Sequence, residues 1–193
     1  MYAVETAKMS SKGRLMEESH KNLIGREFRH FKGNHYRLEG FAKDSETLED
    51  QITICIDTGH KTWANIAARK AFTVAFGTAD TVKACDYLGI VSGNKAPDKV
   101  AKSGLTAVKS AFVDAPVMNE LPLVLECELV SMNEETCNVV GKIVNCAVEE
   151  SALTDGKPDA AKMKPICFDT CAHVYRIMGD VVANAFSCGK ELS

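Results

Sequence analysis

Lys61 and Thr62 stand where the extended run QITICIDT gives way, through Gly59 and His60, to the helix-patterned TWANIAARKA. A cation and a hydroxyl beside the unpaired N–H groups of a helix start suit a phosphate. Asn65, one turn in, offers an amide to a ligand or to the backbone. Taken alone, Lys61 reads as an ordinary exposed lysine. A second group lies in VSGNKAPDK, with Ser92, Gly93 and Lys99. A glycine there lets the backbone come close to a planar ring or a phosphate, and a lysine stabilises negative charge. The plain alternative is a surface loop with a solvated lysine.

Other chemistry is weaker. Cys167, Cys171 and His173 stand close in sequence, but their spacing lacks a second ligand pair, so no metal site is expected. The chain has eight cysteines. Its length and core-forming composition make a disulfide framework unnecessary, so reduced thiols are expected. Cys55, Cys127 and Cys146 sit inside apolar runs, where cysteine behaves as a small buried hydrophobe. No Gly-x-Gly-x-x-Gly fingerprint appears, and no Ser-His-Asp or paired-carboxylate arrangement singles out a catalytic side chain. Glu134–Glu135 and Glu149–Glu150 read as solvated charges.

The elements that must position these residues follow from periodicity. With 193 residues, 46% of them hydrophobic, the chain can bury a core of its own. A net charge of −3 gives no reason to expect nucleic acid as a partner. No long apolar run or signal-like h-region is present, so no membrane is expected and a cytoplasmic location is. Residues 1–24 read as a polar leader. In 25–49, EFRHFKG and HYRLEGFAK alternate around Gly33-Asn34, the pattern of two short strands and a tight turn; Ser45-Glu-Thr-Leu-Glu follows as a turn. From residue 50 the pattern is α+β and mainly antiparallel β. QITICIDT and FTVAFG read as strands, Thr62–Ala71 as a helix with Thr62 near its N-cap, and TADTVKACDYLGI as a helix ended by Gly89. DKVAKSG reads as a short helix inside a polar excursion. LPLVLECELVSM and CNVVGKIVNCAVE form a long hairpin across Asn133-Glu-Glu-Thr. LTDGKPDAAKMKPICF reads as a turn-rich link and HVYRIMGDVVANAF as two closing strands.

Two resemblances attach to these stretches. RHFKGNHYRLEGFAKDSETLE resembles a short bacterial domain family of unknown function with a YRHFKG…HSETLE signature. Asp44 stands where that family has His, and its closing strand is absent, so His30 and His35 inherit no role. From about Asp50 to the C-terminus, GHKTWANIAARKAFTV, ACDYLGIVSGNKAPDKVAKSGLT, DAPVMNELPLVLECELV and VYRIMGDVVANAFSCGK resemble the flavin reductase-like, flavoredoxin-type family. That resemblance implies a split β-barrel with helical caps that binds FMN as a homodimer. It implies flavin contacts at Lys61, Thr62, Asn65, Ser92, Gly93, Lys99 and His173. His173 and Phe186 belong to strands that, in the family, approach the flavin from the partner subunit. NADH or NADPH is the implied electron donor, with a redox protein as a further partner.

The family's first strands have no counterpart in 1–49. The expected architecture is therefore an incomplete split barrel, residues 50–193, preceded by the hairpin segment, with a chimeric character and weak FMN binding. Three readings stay open: an FMN-dependent oxidoreductase, a non-catalytic flavin-binding or interaction module, and a truncated product with little activity.

Overall fold

The computed structural model describes residues 50–192 together with two short strands, β1 (Glu27–Arg29) and β2 (His35–Arg37). These two pair antiparallel, Phe28 opposite Tyr36; two short strands are what the alternation suggests, and the register leaves residues 30–34 between them. The turn between them, the polar leader and the Ser45–Glu49 segment lie outside the described residues.

The main sheet has four antiparallel strands. They are β3 (Gln51–Cys55), β4 (Ala71–Ala75), β7 (Leu123–Asn133) and β8 (Asn138–Val148), in the order β3-β8-β7-β4. β7 and β8 are the long hairpin that the apolar runs announce; Asn133 accepts through Oδ1 from Thr136 N–H at 2.9 Å and shapes its turn. Register shifts at Glu126/Cys127 and Leu129/Ser131 bend this hairpin, which is how a flat ribbon is coiled toward a barrel.

Helix α1 (Lys61–Arg69) lies on one face of the sheet and buries Trp63 and Ile66. They meet Phe72, Cys127 and Val139, with Ile52, Ile54, Leu125 and Ile143 packed around them. Ala71, next to Phe72 and so on the opposite face, packs with Val113 and Ala115. A third cluster of Val148, Ala152 and Leu153 closes the far end of β8. The sheet is thus covered on both faces.

Helices α2 (Val82–Ile90) and α3 (Lys99–Ser103) follow β4. The hairpin β5 (Ala107–Lys109) and β6 (Pro116–Met118) then begins inside the stretch from Gly93 to Ala115 that periodicity leaves as a polar excursion and ends just past it. Its loop is held by a buried carboxylate. Glu126 accepts from Ser110 Oγ and from Asn145 Nδ2, the latter at 2.7 Å. Ser110 Oγ accepts in turn from the N–H groups of Phe112 and Val113, both at 2.9 Å. Ser110→Ala leaves a buried carboxylate oxygen without its donor, and is expected to cost about 1–3 kcal/mol of stability in a urea melt.

The C-terminal region differs from its sequence reading in three respects. The turn-rich link contains a hairpin, β9 (Leu153–Thr154) with β10 (Lys157–Pro158), and helix α4 (Ala160–Met163), whose N-cap Asp159 accepts from Ala161 and Lys162 N–H. Its last residues begin a strand, β11 (Ile166–Asp169), which pairs with β12 (Val174–Ile177). Past Ile177 no second strand forms, because Gly179, Asp180 and a positive φ of 60° at Phe186 break the extended run. Two smaller corrections concern helix ends and Cys55. Gly89 lies inside α2, which runs on to Ile90, and Cys55 is exposed because its position on β3 faces away from Ile54. Cys127 is buried and Cys146 half-buried, and desolvation pushes their thiols up to about 12 and about 11. No two cysteines are bridged.

The β11–β12 hairpin carries a pH-sensitive link. Asp169 accepts from Arg176 Nε at 2.7 Å and from the N–H groups of Cys171 and Ala172, both at 3.0 Å. The Arg176 hydrogen bond, then the backbone ones, hold the carboxyl below its ordinary 3.8. A depressed carboxyl stabilises the fold above the unfolded value, and that contribution is lost as pH falls through the folded one. The amide resonances of Cys171 and Ala172 are therefore expected to titrate together with a midpoint below 3.8, and to stop doing so in Asp169→Asn.

Candidate functional site

The start of α1 is built by an aspartate turn. Asp57 Oδ1 accepts from Gly59 N–H at 2.8 Å and its carbonyl from His60 N–H at 3.0 Å. His60, extended, is the N-cap residue and not Thr62; no side chain caps the helix and no acidic residue lies in its first turn. The positive end of the helix, with its unpaired N–H groups, is left available. Burial of Trp63 and Ile66 turns Lys61, Thr62 and Asn65 outward, all three exposed. Asn65 lies one turn above Lys61, on the same side.

The loop after α2 comes to this helix start. Asn94 Nδ2 donates to the Gly59 carbonyl at 3.2 Å. Ser92 Oγ accepts from Asn94 N–H at 3.3 Å, and the Ser92 carbonyl from the N–H groups of Lys95 and Ala96, both at 3.0 Å. Gly93 sits between the two lysines. A Cβ there would lie 3.3 Å from Lys61 Cδ and 3.6 Å from Lys99 Cε. The structure thus gathers Lys61, Gly93 and Lys99, with Ser92 and Thr62 on the adjoining segments.

Lys99 is not the solvated lysine of the plain reading. It is half-buried, and its Nζ donates to the carbonyls of Leu88 at 2.8 Å and Val91 at 2.9 Å. It serves as the cation at the negative end of α2, a helix with no basic residue of its own in the last turn. One N–H of the ammonium remains outside these two bonds. The nearby Asp98 is taken by Lys102 at 2.9 Å; that hydrogen bond holds the carboxyl low and the ammonium high. An uncapped helix start, two lysines and a glycine between them can hold a dianion.

His173 is elsewhere. It occupies the β11–β12 turn with φ 55°, its ring 6.3 Å from that of Phe168, and no described contact brings it to Lys61. Its hairpin is attached to α2, through Tyr175 O–H to Asp86 Oδ1 at 2.8 Å, and at its root by Ile166 N–H to the Gly77 carbonyl at 3.0 Å. Asn94 is the site residue that sequence reasoning missed. Its signal was local, a small amide after Ser-Gly at a loop apex, but its partner is 35 residues away. Among the described residues no group of three or more His, Cys, Asp or Glu is gathered to hold a metal ion.

Comparison with known proteins bears on the fold and the site together. The model of the flavin reductase like domain matches residues 48–163. A second model, a protein of unknown function (DUF1653), matches residues 26–65. No curated protein matches. Among solved structures, the flavoredoxin of Desulfovibrio vulgaris (Miyazaki F) is 32% identical, over 85% of this chain and 90% of that one, with a TM-score of 0.70. The flavoredoxin from Methanosarcina acetivorans is 30% identical, over 83% of this chain and 85% of that one, at 0.71. An FMN-binding domain of a flavin reductases-like enzyme from Shewanella baltica OS155 shares the fold at 14% identity and a TM-score of 0.65, over 86% and 93% of the two chains. The sheet and its helical covers are those of the flavin reductase-like split barrel.

Proposed function

The chain belongs to the flavin reductase-like family, and on that premise we propose that it binds FMN and works as an oxidoreductase of the flavoredoxin type. The observation that carries this reading is the convergence of Lys61, Gly93 and Lys99 on an uncapped helix start. Lys61, the Thr62 hydroxyl and the first N–H groups of α1 hold the phosphate. Ser92 and Gly93 bring backbone close to the ligand, and Asn94 fixes that loop to Gly59. Lys99 holds the end of α2 in place and sets one N–H toward the same region. Asn65 bonds the ligand one turn above the phosphate.

FMN, when bound, supplies the redox chemistry, accepting a hydride from NADH, NADPH or another donor and passing electrons to an acceptor. The side chains position it; none of them is assigned a proton transfer. A second copy of the chain completes the site. The support for this is the run of exposed apolar side chains on the C-terminal arm, where Phe168, Ile177, Met178, Val182 and Phe186 stand open, the kind of surface that marks an interaction site. That copy brings His173 to the flavin, and sedimentation is expected to give a dimer whose dissociation is promoted by Val182→Glu.

The alternative is a module that holds flavin without turnover, since no side chain of the site is assigned a chemical step. Anaerobic mixing of the FMN-loaded protein with NADH or NADPH separates the two. Bleaching of the flavin absorbance supports the oxidoreductase. Bound but unbleached flavin supports the module, and protein that takes up no flavin overturns both.

A further inference from the structure

The end of β3 and the turn between β7 and β8 bring two free thiols together. Cys55 stands opposite Asn138, and the next residue, Ile56, donates its N–H to the Cys137 carbonyl at 2.9 Å. Opposed residues in such a ladder lie about 5 Å apart and Cys137 is one residue along. The Cα atoms of Cys55 and Cys137 are therefore about 6 Å apart, within the span a disulfide bridges. Cys55 Sγ already reaches this turn, 4.0 Å from the Thr136 carbonyl, the peptide group that leads into Cys137. Cys137 Sγ rests 3.8 Å from the Glu134 carbonyl. Both are weak S–H contacts, given up at little cost.

The backbone and the other cysteines single out this pair. Cys137 has φ 57°, a left-handed turn position that glycine or asparagine fills more readily, and a strained residue there points to a role for its side chain. Cys127 and Cys146 are pushed up to about 12 and about 11 by desolvation, which leaves little thiolate to react. Cys85 is half-buried, its Sγ 3.8 Å from Thr81 Oγ1. Cys167 and Asp169, two strand residues apart on β11, already span about 6.6 Å. Cys171 lies farther on in the turn, so it is out of bridging reach of Cys167.

We propose that Cys55 and Cys137 form a reversible disulfide by exchange with a small-molecule disulfide. The exposed Cys55, as thiolate, attacks one sulfur of that disulfide, forming a mixed disulfide and releasing the first thiol. The Cys137 thiolate then attacks the Cys55 sulfur and expels the second thiol. The protein loses two electrons and two protons, and the small disulfide gains them and becomes two thiols. The new bond ties β3 to the β7–β8 turn, two residues before Asp57, whose carboxylate shapes the start of α1. This goes beyond the flavin reading and stands whether or not FMN binds.

The test is incubation of the folded full chain with oxidised glutathione, followed by peptide mapping without reductant. The unaltered protein is expected to yield peptides joined through Cys55 and Cys137 within one molecule, two hydrogens lighter than their sum and separated again by dithiothreitol. Cys137→Ser is expected to stop at a glutathione adduct on Cys55, and Cys55→Ser to form no such cross-link. A stable glutathione adduct on Cys55 in the unaltered protein overturns the proposal. So does a bridge from Cys55 to any other cysteine or to a second copy, and so do thiols at 55 and 137 that stay free.

Discussion

Gly141→Ala is expected to destabilise the protein by about 1–3 kcal/mol or more, read as a shift in the urea midpoint at unchanged slope. Gly141 lies in the middle of the sheet, opposite Ile52 on β3 and Leu129 on β7. A Cβ on it would stand 2.4 Å from Phe72 Cζ, 2.6 Å from Cε1 and 3.0 Å from Cys127 Cβ. The ring cannot swing aside cheaply, because Phe72 is 5% exposed and walled by Trp63, Ile66, Cys127 and Val139. Shortening the ring should relieve the clash. Gly141→Ala combined with Phe72→Leu is expected to be more stable than the sum of the two single changes, a positive coupling between touching residues. Simple additivity would mean that the strand moves rather than the ring.

Lys61→Ala with Thr62→Ala is expected to weaken FMN by about 10- to 100-fold while leaving the melting curve nearly unchanged. Both side chains are exposed, so the fold loses little. The ligand loses a charge-assisted bond and a hydroxyl at the one place where helix α1 presents free N–H groups. Lys99→Ala is a different case. It removes the donor to Leu88 and Val91 carbonyls, so it is expected to lower stability and affinity together. That pairing of effects separates a residue that shapes the loop from one that touches the ligand. Fluorescence titration of FMN beside a thermal melt reads both.

These expectations also mark what sequence could supply. β7 and β8 were legible because two long runs rich in Val, Leu and Ile flank the turn Asn133-Glu-Glu-Thr, and the start of α1 because Trp63 and Ile66 carry helical spacing after a Gly-containing turn. The short strands β5 and β6 were not, since three residues each give no period and their geometry depends on Glu126 reaching Ser110 across 16 residues. The end of α2 was misplaced for a similar reason. Gly89 looked like a stop, whereas the helix is closed by Lys99 from beyond the next loop. Within the site, Lys61, Thr62 and Asn65 follow from one helix, so their grouping was visible in the sequence. Their meeting with Gly93 and Lys99 was not, because it rests on Asn94 holding the Gly59 carbonyl. Gly141 carried a local signal, a lone glycine inside a strand, but the ring that needs its space comes from β4.

The central claim is that a phosphate sits at the start of α1, and comparison of FMN with riboflavin, which lacks the phosphate, tests it most directly. Titrations of the unaltered protein are expected to give FMN about 10- to 100-fold tighter than riboflavin, and Lys61→Ala with Thr62→Ala to bring the two close together. Equal affinity for FMN and riboflavin in the unaltered protein, or a preference that survives the double change, would contradict it.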